Sequence, residues 1–189
     1  MAAAEQTAHP TAVRAGGLGI IPIRRAFDSS KRPDFIGLQS RNQRWIRVLK
    51  STKSHFKGVV FLTQKVLSMM NDGGSVVFIT AAGDRYNVHG YAVYSSCKGA
   101  IEVFSRYVAK EYGPRGIRAN TVAPGGIVTD FNEAAIRSNP KAQEFIKAQT
   151  AMGRLGAPHD IGGVVAFLCS EDSKWLTGQR LEVTGGFNL

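Results

Sequence analysis

From about residue 45 onward this chain predicts a layered α/β domain, and three observations predict it. Long segments of helical period alternate with short apolar runs. The run SVVFIT, residues 75–80, is apolar at successive positions, as in a parallel strand covered on both faces. Glycine and proline clusters fall at the joints, at Asn71-Asp72-Gly73-Gly74, Gly113-Pro114, Pro124-Gly125-Gly126 and Gly185-Gly186.

The elements follow in order. Trp45 to Met70 reads as a helix, with Val59, Leu62, Val66 and Met69 at three- and four-residue steps. The strand 75–80 comes next. Tyr91 to Tyr112 is helical, with Ala100, Ile101, Phe104 and Val108 on one face, and Gly113-Pro114 stops it. IRANTVA, 117–123, is a second strand. Residues 132–150 form a polar helical excursion, and Pro158-His159-Asp160 opens a helix running through Leu168. RLEVT, 180–184, is a last strand. There is no internal repeat or low-complexity tract.

Composition bounds the class. A chain of 189 residues with 43% apolar and 20% charged residues makes one globular domain with a sizeable core. No apolar run approaches the roughly 18 residues that cross a bilayer, and the N-terminus lacks the apolar centre of a secretory signal, so no membrane partner is expected. Cys97 and Cys169 show neither CxxC nor metal-like spacing; no metal site is expected, and the setting reads as reduced and cytoplasmic. Both cysteines read as small buried apolar residues.

The net charge of +10 is unevenly placed. Residues 1–57 carry 11 Lys and Arg against 3 acids, and residues 58–189 carry 13 against 11. An organellar leader and polyanion binding are two readings of the basic segment. No nucleic-acid module accompanies it, and no nucleic-acid partner is expected.

YAVYSSCKGAIEVFSR, residues 91–106, places Tyr94 four residues before Lys98 with small residues between. That step puts both side chains on one helix face. A phenol near its ordinary pKa of about 10 is a poor acid or base at neutral pH, and a neighbouring cation favours the phenolate. The pair alone is also what a surface tyrosine lying along a lysine stem would show.

The surroundings decide. HFKGVVFLTQKVL, GGSVVFIT, the whole of 91–131, GRLGAPHDIGGVVAFLCS and LTGQRLEVTGG, in this order, closely resemble the C-terminal part of the short-chain dehydrogenases/reductases. The resemblance covers about three quarters of the chain. It implies a doubly wound parallel Rossmann sheet, here incomplete in its N-terminal half. It also implies NADP or NAD as cofactor, and hydride transfer between the nicotinamide and a secondary alcohol or ketone.

By the same resemblance Tyr94 is the general acid/base, and Lys98 tunes it and anchors the nicotinamide ribose. His55 stands where most members place an asparagine that holds a proton-relay water. Pro124, Gly125, Ile127 and Thr129 match the turn that packs on the nicotinamide, and Asn120 matches an asparagine that braces neighbouring backbone. The helices around 54–70 and 91–112 resemble those that pair subunits, which implies a homo-oligomer.

Two departures follow. The family's serine, thirteen residues before the tyrosine, is Ala81 here, and the adjacent Thr80 faces the other side of a regular strand. The opening fingerprint is threonine-glycine, three residues, then glycine-x-glycine; the nearest match is TAVRAGGLGIIPIRRAF, 11–27. On one reading Gly17 and Gly19 are its remnant and Arg41 meets the 2′-phosphate of NADP; on the other, 11–42 is unrelated sequence. Residues 1–44 are accordingly expected to form a divergent basic segment and 45–189 the C-terminal part of the Rossmann unit. Roughly sixty residues, the size of two βα units, are missing between them. The alternative to an active enzyme is an impaired chain that pairs with a full-length relative.

Overall fold

A computed structural model describes residues 48–88, 90–132 and 136–189. Gly17, Gly19 and Arg41, and the expected boundary at residue 44, lie outside them.

The chain enters as a helix at 48–52 and widens into a five-residue π turn, Lys53–Lys57, before continuing as α1, Gly58–Leu67. The Gly58 N–H bonds to the Lys53 carbonyl, one residue further back than in an α-helix. The expected apolar stripe is buried only in part, with Val59 packed against the core. Thr63 and Leu67 are inside, whereas Leu62 and Met69 are 66% and 68% exposed. Arg115 closes the helix by donating to the carbonyls of Leu67 at 3.1 Å and Met70 at 2.5 Å, and to Asp72 at 2.7 Å.

Three parallel strands follow in spatial order β1, β2, β3: Ser75–Ile79, Arg118–Pro124 and Arg180–Val183. β1 pairs with β2 from Ser75↔Arg118 to Ile79↔Val122, and β2 with β3 from Thr121↔Arg180 to Pro124↔Val183. Parallel neighbours need crossovers. α2, Ala92–Tyr112, provides the first; α3, Pro140–Ala148, and α4, Pro158–Cys169, lie within the second. β2 is the centre, with Ala119, Asn120, Val122 and Ala123 all at 0% exposure. The core joins Leu67, Phe78, Ile101, Val108, Ile117 and Ala119.

β1 departs from the expected strand buried on both faces, because Ile79 is 46% exposed. The Thr80 N–H bonds to the Val122 carbonyl on β2, so by alternation Val77 and Ile79 turn their backbone groups to the other edge. Among the described residues no strand pairs with that edge. Between it and α1 opens a cavity of about 290 Å³, lined by Val59, Leu62, Val66 and Ile79 and also by His55 and Lys98.

Candidate active site

His55, Tyr94 and Lys98 meet at the carboxyl end of β1. Tyr94 lies in the first turn of α2, and Lys98 follows one turn later. The Lys98 ammonium is 5.6 Å from the centre of the Tyr94 ring and donates to the Ile79 carbonyl at 2.8 Å. The π turn brings His55 to the same place, edge-on to Tyr94 at 5.0 Å with the rings 84° apart. Tyr91 flanks Tyr94 at 6.2 Å. The sequence carried no sign of the π turn.

Burial sets the proton affinities. It lowers Lys98, with Cys97 opposing, and it lowers His55, with the Lys98 charge adding to the effect. His55 is therefore held neutral to lower pH than a free imidazole. Tyr94 is raised, by burial first, then by Tyr91 and Asp84. The expected lowering of the phenol by Lys98 is corrected here: the ammonium is engaged by the Ile79 carbonyl, and desolvation of the phenol dominates.

Thr80 does not replace the absent serine. It is 3% exposed, and its hydroxyl donates to the Val122 carbonyl at 3.3 Å. Ala81 follows with extended backbone and leads into a short 3-10 turn, Ala82–Asp84. The turn after β2 lies at the same end of the sheet, where open parallel sheets bind ligands. A side chain on Gly125 would meet the Thr184 Cα at 2.9 Å, so glycine lets the chain pass over the end of β3. Ile127 is buried and pairs with Gly156. Pro124 and Thr129 are half-buried.

Asn120 braces backbone as expected, donating to the Leu176 carbonyl at 2.8 Å and accepting from the Gln179 N–H at 3.0 Å. Cys97 is buried, but Cys169 is exposed, against expectation, at the end of α4. Sequence reasoning missed Asp84, Glu102 and Arg180, which join in a charge cluster beside Tyr94. One signal was available: Glu102 is the next four-residue step after Tyr94 and Lys98.

The nicotinamide end of a dinucleotide fits these residues. An ammonium has three donors, and Lys98 uses one on Ile79, which leaves two for ribose hydroxyls. Among the described residues no helix is long and apolar enough to cross a membrane, and no group of His, Cys, Asp and Glu is placed to hold a metal.

Known proteins agree with this fold. The family model described as Enoyl-(Acyl carrier protein) reductase matches residues 36–188. An uncharacterized oxidoreductase of Methylorubrum extorquens is 34% identical over 183 residues, which is 93% of this chain and 72% of that protein. The tetrahydroxynaphthalene reductase of Pyricularia oryzae is 36% identical over 141 residues, 69% of this chain and 50% of that protein. Among solved structures, a short-chain dehydrogenase/reductase from Serratia marcescens superposes with TM-score 0.69 at 30% identity, covering 76% of this chain and 57% of that one. The angucycline C-6 ketoreductase LanV, solved with bound NADP, gives 0.65 at 30% identity, covering 71% and 51%. The chain thus spans between half and three quarters of the length of these four proteins. With a Rossmann-type parallel sheet and a family match over most of its length, the chain belongs to the short-chain dehydrogenase/reductase family of oxidoreductases.

Proposed function

We propose that the chain is a nicotinamide-dependent oxidoreductase, NADP(H) or NAD(H), acting between a secondary alcohol and a small-molecule ketone in a cytoplasmic setting. The observation that carries this reading is the meeting of Tyr94, Lys98 and His55 at the carboxyl end of β1. The bound NADP of LanV, and the NADPH complex of a blue fluorescent protein from a metagenomic library at TM-score 0.61, support the cofactor class.

The cofactor, when bound, supplies or accepts the hydride. Lys98 would hold the ribose while keeping its bond to Ile79. Tyr94 gives its hydroxyl proton to the substrate oxygen as that oxygen gains charge. With its pKa raised by burial, the phenol stays protonated through neutral pH, which suits proton donation and hence ketone reduction. Neutral His55, beside the phenol ring, can hold the water that returns the proton. The Pro124–Thr129 turn would pack against the nicotinamide.

Exposed apolar side chains on α1 and α2, among them Phe61, Leu62, Val103 and Tyr107, support a homo-oligomer paired through these helices. A second reading, an impaired chain that pairs with a full-length relative, is favoured by Ala81 and by the engagement of Thr80 with β2.

Titration with NADPH and NADH, followed by nicotinamide fluorescence and then a ketone panel, tests the two. Micromolar binding together with turnover lost in Tyr94→Phe supports the enzyme. Absence of binding, with the chain eluting in a complex with a full-length relative, supports the second reading.

A further inference from the structure

Arg180, at the start of β3, is gripped by carboxylates from three parts of the chain. Its Nη2 donates to Asp84 Oδ1 at 2.8 Å, its Nε to Glu102 Oε1 at 2.6 Å, and its Nη1 to Glu182. The side chains of Asp84 and Glu102 are only 10% and 15% exposed.

Nε–H and Nη2–H lie on one edge of the planar guanidinium and point the same way, an edge that ordinarily takes both oxygens of one carboxylate. Here two different side chains share it, so two carboxylates are pressed side by side. Like charges in such contact, largely removed from water, do not both stay ionised. The Asp84 Oδ2 atom is buried and has no hydrogen-bond partner among the described residues. The charges agree with this: Asp84, Glu102 and Glu182 face Arg180 and Arg85, three anions to two cations.

We propose that Asp84 and Glu102 share a single proton, which completes the clamp of Arg180 joining the Ala82–Asp84 turn, α2 and β3. Glu102 carries the proton and donates it to Asp84, whose second oxygen then has its partner. Burial pushes the Glu102 carboxyl up; contact with Asp84 adds to that, against the pull of Arg180. The charged and titratable groups around it are Arg180 and Glu182 from β3, and Asp84, Arg85 and Tyr86 from the turn after β1. Tyr86 donates its hydroxyl to Glu182 at 3.0 Å. On α2 itself, Tyr94 and Lys98 precede Glu102 on the same face.

The sign of the pH dependence follows from the raised Glu102. Its contribution to stability is fully present below the ordinary glutamate pKa of about 4.3 and is lost as pH rises through its native value. Gln at position 102 keeps an acceptor for Arg180 and a donor for Asp84 at every pH.

Infrared spectroscopy of the full chain at pH 6, about two units above that ordinary value, reads the proton directly. One protonated-carboxyl band per chain is expected, absent in Glu102→Gln and retained in Glu144→Gln. A folded parent chain without that band overturns the proposal. Thermal melting from pH 5 to 8 is the second measurement: the parent Tm should fall relative to that of Glu102→Gln as pH rises, and parallel curves overturn it. Neither readout needs turnover, so the proposal and the oxidoreductase reading fail separately.

Discussion

Asn120→Ala should rank among the costliest single changes in the sheet. The residue is fully buried in the central strand, and its amide holds two backbone groups of the segment leading into β3: the Leu176 carbonyl at 2.8 Å and the Gln179 N–H at 3.0 Å. Alanine removes both bonds, each worth about 0.5–1.5 kcal/mol net, and strands their partners. Adding the vacated volume gives about 2–4 kcal/mol. With a urea m-value of about 2 kcal/mol/M, the unfolding midpoint drops by about 1–2 M while m is unchanged. Asn120→Asp keeps the acceptor for Gln179 but sets a buried carboxylate against the Leu176 carbonyl. It should cost at least as much at neutral pH and less in acid. A drop below about 0.3 M for the alanine variant would refute the account of Asn120 as the tie between β2 and β3.

Tyr94→Phe should lower ketone reduction about 10²–10⁴-fold with NADPH binding nearly unchanged, checked by single-turnover rates and fluorescence titration. Because the Tyr94 pKa is raised, reduction should be flat through neutral pH and fall only above about pH 10, whereas alcohol oxidation should climb steadily with alkalinity. A fall in reduction between pH 7 and 9 would contradict that sign. Ala81→Ser should raise kcat roughly a hundredfold by restoring a donor to the substrate oxygen, measured at saturating cofactor. Gly125→Ala should cost about 1–3 kcal/mol in denaturant unfolding, because its methyl would meet the Thr184 backbone at 2.9 Å.

The α/β alternation was legible because helix period, apolar strands and glycine-proline joints all agree between residues 75 and 184. The pairing of Tyr94 with Lys98 was legible because an i, i+4 step fixes geometry without tertiary information. The burial of α1 was not: its apolar stripe faces a cavity rather than a neighbouring strand, so Leu62 remains exposed. Nor was the phenol's proton affinity. Spacing reports that an ammonium is near, but not that the Ile79 carbonyl already holds it or how far burial outweighs it. The π turn that brings in His55 depends on how the entering helix seats on α2. The Arg180 cluster bonds residues up to 97 positions apart, beyond the reach of any local pattern.

Lys98 has a second duty that complicates any experiment on it. Its ammonium bonds the edge of β1 that no strand pairs with among the described residues, and charged lysines at such margins deter other chains from adding themselves as extra strands. Neutralising it should uncover a template for self-association as well as remove the proposed cofactor anchor. Loss of activity in a Lys98→Met preparation therefore has meaning only beside a light-scattering trace showing that the material remained dispersed.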